Sequence, residues 1–166
     1  PRAKLMQGMP ESLAREFIIT HFFNPPRYLP LLEIVSGDEV NTALLSAFTE
    51  FAEVRLGKRV ISCSDTPGFI GNRIAMFFGQ SAINATLDLG LTVEQTDAML
   101  SRPIGVPKTG VFGLFDLVGV DLIPHIMDSM LTELPEDDGL CQIAAHRELL
   151  DEMISDGWVG RKGKGG

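Results

Sequence analysis

Cysteine is scarce in this chain of 166 residues, which has only Cys63 and Cys141. Two cysteines outside any CxxC pair make neither a disulfide framework nor a zinc site, and we expect both to be buried in a protein of a reducing compartment. Long apolar runs are also missing. The most apolar stretch, Phe112 to Ile123, is broken by Asp116 and Asp121. No run reaches the roughly 18–20 residues that a membrane span requires, so we expect no membrane span.

Positive charge is in deficit as well. The chain has 14 Lys and Arg residues against 22 Asp and Glu residues, a formal net charge of −8. An acidic chain repels a phosphate backbone, so nucleic-acid binding is not expected. The composition is otherwise ordinary, with 45% hydrophobic and 22% charged residues. That balance excludes wholesale disorder and indicates a globular protein.

The first 64 residues predict part of an α/β domain. Three short segments, 17–23, 31–35 and 59–63, have the composition and length of strands. Between the last two, residues 41–56 show the apolar spacing of an amphipathic helix. A strand–helix–strand order requires a crossover and is typical of an α/β sheet. Three strands are few for a free-standing sheet, so we expect the end of a larger one.

Residues 65–166 predict an all-helical unit, which makes the whole chain mainly α with an N-terminal α/β remnant. A long helix is expected over 69–89, with small residues on one face that would let another helix come close. Thr92 and Gln95 have the spacing of a capping box. Further helices are expected at 111–118, 121–131 and 140–156. The stripe predicted for the long helix consists of Ile70, Ile74, Phe77, Phe78, Ser81, Ala82, Ala85 and Leu89.

His21 and Glu33 are the first candidates for chemistry. His21 ends the first predicted strand, and Glu33 lies within the second. A carboxylate beside an imidazole fixes the tautomer of the ring and stabilises its protonated form, as in an oriented general base. The alternative is that the two residues are unrelated, with His21 hydrogen-bonded within its strand and Glu33 in a salt bridge elsewhere. Spacing alone favours this alternative.

Asn72 is the second candidate, because it falls in the first turn of the long predicted helix. The N–H groups and partial positive charge of a helix N-terminus suit a polarised oxygen, to which an Asn amide could donate. The alternative is a local cap or turn residue.

Other polar features indicate no site. The glycine-rich end, residues 160–166, lacks the order of a phosphate loop and is expected to be a flexible basic tail. His125 and His146 lack spaced partner ligands, so we expect structural roles for them and no metal site. No GxGxxG follows any predicted strand.

Several of these segments together resemble L-3-hydroxyacyl-CoA dehydrogenases. They are His-Phe-Phe-Asn-Pro at 21–25, Leu-Glu at 32–33, Asp-Thr-Pro-Gly-Phe-Ile-Gly-Asn-Arg at 65–73, the stretch 105–121 and the end 160–166. They occur in the family's order and spacing over nearly the whole chain. The resemblance implies the last strands of a Rossmann-type NAD-binding domain (1–64), followed by an all-helical C-terminal dehydrogenase domain (65–166).

The resemblance also implies an activity and the residues that carry it. The family oxidises the 3-hydroxyl of acyl-CoA thioesters with NAD in fatty-acid β-oxidation. By this likeness His21 is the general base, Glu33 its partner, Asn72 a contact at the substrate end and Asn24 a cofactor-binding residue. We also expect a homodimer through the helical domain and a cytoplasmic, bacterial location.

The sequence departs from the family pattern in two respects: segments that are expected upstream of Pro1, and the loop 107–110. The glycine-rich NAD loop and an active-site serine would lie upstream of Pro1, so we expect a fragment that is inactive alone. The loop 107–110 is more similar to bacterial multifunctional proteins that carry a fused enoyl-CoA hydratase/isomerase than to monofunctional members. Two alternatives stay open: a non-catalytic helical module for dimerisation or as a substrate lid, and a related dehydrogenase of 3-hydroxybutyryl-CoA or L-gulonate type.

Overall fold

The computed structural model describes residues 1–165 and separates into two compact units, Pro1–Gly71 and Asn72–Gly166. The described residues form one three-stranded sheet near the N-terminus and are otherwise mainly helical. This confirms the predicted fold class, while the domain boundary after residue 64 stays a prediction. Among the described residues, no helix is long and apolar enough to cross a membrane.

The sheet of the first unit has the strand order β1-β2-β3. Strand β2 (Leu31–Val35) lies in the centre, antiparallel to β1 (Ile19–Phe22) and parallel to β3 (Arg59–Cys63). Strands β2 and β3 have the predicted bounds, whereas β1 is shorter than the predicted 17–23. The parallel pair confirms the crossover expected from the strand–helix–strand order.

The crossover helix α3 spans Thr42–Glu50 and widens into a π-helical turn at Phe51–Arg55. The Asn41 side chain caps its start by accepting from the amides of Ala43 and Leu44, which satisfies two of the free N–H groups. Strand side chains alternate between the two faces of the sheet. The face covered by α3 is apolar and comprises buried Leu32, Ile34 and Ala52, with Ile18, Phe22, Leu45, Phe48 and Val60 packed against them.

The first 15 residues contain two short helices. They are α1 (Arg2–Leu5) and α2 (Glu11–Ala14). The carboxylate of Asp65 accepts hydrogen bonds from the backbone amides of Arg2 and Ala3, at 2.6 and 2.8 Å. The start of α1 is therefore held by a residue more than 60 positions away, which no local pattern reveals.

Arg2 is the buried polar centre of this N-terminal segment. Its side chain donates to the carbonyl oxygens of Ala14 and Phe17 and forms an ion pair with Glu39 at 2.9 Å. A buried arginine is stable only when its donors are satisfied in this way. The sequence reading missed it because a charged residue near a terminus is usually solvated.

The second unit is helical. Its capping box at Thr92 and Gln95 is confirmed, with both reciprocal hydrogen bonds present. The prediction of a single helix over 140–156 is wrong. The helix is interrupted at His146, which has a left-handed φ of 54°. The helices are α4 (Gly71–Asp88), α5 (Val93–Met99), α6 (Phe112–Val118), α7 (Leu122–Glu133), α8 (Gly139–Ile143) and α9 (Arg147–Ser155), with a 3₁₀ turn at Arg102–Ile104.

The buried face of α4 differs from the predicted stripe. Ile74 and Leu89 were expected in it but are 63% and 72% exposed. Polar Gln80 and Thr86 are buried instead, because Gln80 donates to the Ala145 carbonyl and Thr86 donates to its own helix. Apolar periodicity counts such residues as surface. The buried residues of α4 are Met76, Gly79, Gln80, Ala82, Ile83 and Thr86.

The glycine-rich end is not the flexible tail expected from its composition. The amide of Gly160 donates to the carbonyl of Gly165, which closes a tight turn. Two side chains of that turn form ion pairs with carboxylates, one within α6 and one directly before α7. The pairs are Arg161–Asp116 and Lys162–Asp121. Gly166, the last residue of the predicted tail, lies outside the described residues.

Candidate active site

His21 and Glu33 face each other across the β1–β2 pair. They are directly opposite in the antiparallel register, on the sheet face away from α3. The Nδ1 atom of His21 lies 2.6 Å from Oε2 of Glu33. The Glu33 side chain is fully buried, whereas 29% of the His21 side chain is exposed. The structure therefore brings together the two residues that the sequence paired, and leaves one edge of the imidazole accessible.

The second carboxylate oxygen of Glu33 is held by backbone. Its Oε1 accepts hydrogen bonds from the amides of Ile70 at 3.0 Å and Gly71 at 2.7 Å. Burial alone would raise the pKa of Glu33. The hydrogen bonds from His21, Gly71 and Ile70 outweigh that effect and bring the pKa below its ordinary value.

This charge state determines where the proton on His21 lies. An ionised carboxylate can only accept hydrogen bonds, so Nδ1 of His21 must be the donor to Glu33. In the neutral ring, Nε2 then has no proton and presents its lone pair. A histidine fixed in this tautomer has the arrangement that a general base requires.

The turn Thr66–Phe69 orients the two backbone amides that donate to Glu33. The Phe69 amide donates to the Thr66 carbonyl at 3.0 Å, and Pro67 and Gly68 occupy the two central positions, as in a type II turn. Gly68 has φ 72° and Phe69 has φ 48°. The sequence does not reveal this function of the turn, because the partner of the following amides is a strand residue far away in sequence.

Two aromatic rings and a thiol complete the surroundings of the pair. The ring centroids of Phe23 and Phe69 lie 4.8 and 6.0 Å from that of His21. The Phe23 ring occupies the space where a β-carbon on Gly71 would lie. Cys63 is buried, and burial together with the negative charge of Glu33 raises the pKa of its thiol. Cys63 is therefore held neutral and is unsuited to act as a nucleophile.

The two predicted asparagines lie just after β1 and in the first turn of α4. Asn24 is exposed just after β1, and its peptide bond to Pro25 is cis. Asn72 is the second residue of α4, half-buried, and belongs to the second unit. Its place in the first helical turn is as predicted. The cofactor and substrate contacts expected for Asn24 and Asn72 stay predictions.

Metal binding by the remaining histidines and cysteine depends on the neighbours that they have within residues 1–165. Across residues 1–165, no group of three or more His, Cys, Asp or Glu side chains is arranged to hold a metal ion. His146 lies 3.8 Å from Asp88 and 3.6 Å from Glu148. Cys141 is only half-buried, less than expected.

Two family models together match almost the whole chain. Residues 2–66 match the NAD binding domain of 3-hydroxyacyl-CoA dehydrogenase, and residues 68–166 match the C-terminal domain of the same enzyme. The chain belongs to the 3-hydroxyacyl-CoA dehydrogenase family. The sequence resemblance is thereby confirmed, and the family is one of oxidoreductases whose N-terminal domain binds NAD.

Known relatives agree with this assignment. A Rickettsia prowazekii protein, named provisionally as the trifunctional enzyme of a fatty acid oxidation complex, is 37% identical over 166 residues, which is 100% of this chain and 23% of that protein. The chain therefore spans about a quarter of the length of this relative.

Solved structures show the same fold. The crystal structure of Mycobacterium tuberculosis FadB2 has a TM-score of 0.78 and 33% identity, covering 92% of this chain and 51% of that one. The (S)-3-hydroxybutyryl-CoA dehydrogenase PaaH1 of Ralstonia eutropha has a TM-score of 0.72 and 30% identity, covering 88% and 49%.

Proposed function

We propose that this chain supplies the general base of an NAD-dependent dehydrogenase that oxidises 3-hydroxyacyl-CoA to 3-oxoacyl-CoA. The observation that supports this most directly is the 2.6 Å contact between Nδ1 of His21 and the fully buried carboxylate of Glu33. A buried, hydrogen-bonded carboxylate behind an accessible imidazole is the arrangement that orients a base and stabilises its protonated form.

His21 performs the proton transfer in this proposal. The lone pair on Nε2 takes the proton of the substrate hydroxyl, so the O–H bond breaks and an N–H bond forms. The resulting imidazolium keeps its Nδ1–H bond to Glu33, whose negative charge matches the new positive charge. In the reverse reaction the same Nε2–H returns the proton to the ketone oxygen.

NAD, when bound, supplies the acceptor for the hydrogen and electron pair that leave C3 of the substrate. The described residues fit the reacting end of this cofactor, where His21 lies among aromatic rings and the exposed Asn24 is the proposed contact. They do not provide a phosphate loop: the glycine turn after β2, at Gly37, is filled by the side chains of Arg2 and Glu39. Within residues 1–165, no strand is followed by a glycine-rich loop.

The acyl-CoA substrate and the longer context are part of the same proposal. PaaH1 is named for a four-carbon substrate, while the Rickettsia relative is named for fatty acid oxidation. We favour 3-hydroxyacyl-CoA thioesters in fatty-acid oxidation, with a fused hydratase/isomerase as the proposed context. A cytoplasmic location and the substrate role of Asn72 stay predictions.

The test is an assay of the natural polypeptide that carries this chain. NADH formation is followed by absorbance with L-3-hydroxyacyl-CoA substrates of four to sixteen carbons, and with L-gulonate as the matched non-thioester. Turnover of the thioesters alone supports the proposal. Turnover of L-gulonate alone would replace it with the related sugar-acid reaction, and turnover of neither would refute it.

A second candidate function is that of a helical dimerisation module. It is favoured by apolar side chains that the second unit leaves exposed, including Ile74 at 63% and Leu89 at 72%. Isolated exposed apolar residues are common, but groups of them mark interfaces. Light scattering after size exclusion tests this: a dimer that Ile74→Asp converts to a monomer supports the module, and a monomeric wild-type chain contradicts it.

A further inference from the structure

Phe69 combines a backbone conformation and a side-chain position that nothing else in the first unit shares. It is a non-glycine residue with a left-handed φ of 48°, and its ring centroid lies 6.0 Å from that of His21. For a bulky residue the left-handed region is strained, and such strain clusters at functional sites. The neighbouring turn residue with positive φ, Gly68, carries no such strain.

The conformation of Phe69 sets the direction of the amides that follow it. The chain turns at Gly68 and again at Phe69, and the next two N–H groups, of Ile70 and Gly71, both point at Oε1 of Glu33. Consecutive backbone amides that converge on one oxygen form an anion-binding concavity. With φ of Phe69 in the ordinary negative range, these two amides would be redirected.

We propose that Phe69 is a positioning residue for the general base: its left-handed backbone locks the Ile70 and Gly71 amides onto Glu33, which in turn fixes the tautomer of His21. The proposal rests on the proposed function, since it concerns the same base. The Phe69 backbone acts through two intermediaries, so Phe69 is not itself a catalytic residue.

The charge on Glu33 links the turn to the imidazole. The titratable side chains that interact with Glu33 are His21 from β1 and Cys63 from β3. The two amides favour the ionised carboxylate against the effect of burial. Without them, only His21 would oppose the effect of burial on the pKa of Glu33. A Glu33 carboxyl that became protonated could donate to Nδ1 and reverse the tautomer of the ring.

The test compares substitutions that differ in their tolerance of positive φ. Phe69→Gly and Phe69→Asn remove the ring but accept the left-handed conformation, whereas Phe69→Val opposes it. If Phe69→Val fails to fold, Phe69→Ala takes its place. The titration midpoint of the Glu33 carboxyl is followed by ¹³C NMR, and the protonated nitrogen of His21 by ¹⁵N NMR. Steady-state kcat and KM are measured in the natural polypeptide.

We expect the Gly and Asn variants to keep the Glu33 midpoint and the His21 tautomer of the wild type. The Val or Ala variant should shift the midpoint upward and lose part of the roughly 10²–10⁴-fold rate contribution of a positioned base, in kcat rather than KM. An unchanged midpoint in whichever of the Val and Ala variants is used would overturn the proposal. Equal shifts in that variant and in the Gly and Asn variants would overturn it as well, because they would assign the effect to the ring.

These readouts separate the two proposals. The carboxyl titration and the tautomer do not depend on activity. If they respond as expected in a polypeptide that oxidises no hydroxyacyl-CoA, the proposed function fails and the positioning role stands. If the wild type is active but the titration midpoint of Glu33 does not change with the backbone conformation at residue 69, only the positioning role fails.

Discussion

Glu33 is the most constrained side chain of the site. Both of its oxygens are occupied, one by the imidazole of His21 and one by the amides of Ile70 and Gly71. In a low-dielectric interior such a carboxylate stays charged only because every hydrogen bond favours the ionised form. The chemistry proposed for His21 therefore depends on a residue that solvent does not reach.

His21→Gln is the residue-scale prediction. Glutamine can still donate a hydrogen bond toward Glu33, but it cannot take up a proton at working pH. We expect kcat of the natural polypeptide to fall by about 10²–10⁴-fold, the usual contribution of a general base, with little change in the KM for NAD.

The matched control for this variant is His125→Gln, which replaces an exposed histidine on α7 in the second unit. Its kcat should equal that of the wild type. A near-normal kcat in His21→Gln would remove His21 from the mechanism.

The pairing of His21 with Glu33 was one of two possibilities that the spacing left open, because short-range rules bring the strands side by side but do not fix their register. Two strands joined by a short connection pair in antiparallel fashion, and alternation then places opposite residues on one face. The Ile70 and Gly71 amides could not be predicted in the same way. Backbone donors have no residue-type signature, and their direction depends on φ values that the sequence does not state.

At the scale of elements, α4 shows how burial can depart from apolar periodicity. Its interior face includes Gly79, which lies directly against the ring of Phe115 in α6. The predicted stripe failed because Gln80 and Thr86 are satisfied internally by hydrogen bonds and so can be buried. The close helix contact expected through the small residues of the predicted stripe stays a prediction, because Gly79 was not in that stripe.

Gly79→Ala is the element-scale prediction. Alanine normally stabilises a helix interior by up to about 1 kcal/mol relative to glycine. Here the added methyl group would overlap the Phe115 ring, which is buried and surrounded by the core. Overpacking of this kind costs about 1–3 kcal/mol, so we expect a net loss in the free energy of unfolding, measured by urea denaturation.

The control is Gly113→Ala on α6, where the new β-carbon would lie 3.4 Å from Asp97 and 3.7 Å from Thr109, at ordinary contact distances. That variant should be neutral or slightly stabilised. A Gly79→Ala protein as stable as the wild type would mean that the α4–α6 packing yields more readily than the structure indicates.

At the scale of the whole molecule, the two units illustrate different limits of prediction. In the first unit, a parallel crossover and an apolar face followed directly from alternation and helix spacing. In the second, the Gln80 side chain donates to the Ala145 carbonyl beside the helix interruption at His146. Arg161 pairs with the distant Asp116. Composition had indicated a continuous helix and a loose tail, because neither contact leaves a local signature.

Acid sensitivity is the prediction that belongs to the whole fold. The pKa of Glu33 is lower in the folded protein than its ordinary value, about 4.3 in the unfolded chain. Glu33 therefore stabilises the fold fully above that value, and the stabilisation is lost as the pH falls through the lower, folded pKa. We expect the Glu33→Gln variant to lose less stability than the wild type between neutral pH and pH values below about 4.3.

Urea unfolding followed at the NMR signals of β2 measures this difference. Glu50→Gln, at an exposed position on α3, controls for the change in net charge and should behave as the wild type. An acid-induced loss of stability that is equal in all three proteins would mean that folding does not lower the pKa of Glu33.

The position of the proton on the neutral His21 ring decides whether Nε2 can act as the general base in the folded chain. In ¹⁵N-labelled protein, at a pH where the ring is neutral, long-range ¹H–¹⁵N correlations distinguish a protonated from an unprotonated ring nitrogen. The arrangement of Glu33 and its two amides predicts a proton on Nδ1 and a free lone pair on Nε2. A proton found on Nε2 would contradict the account, because that nitrogen could not then accept the hydroxyl proton of a substrate.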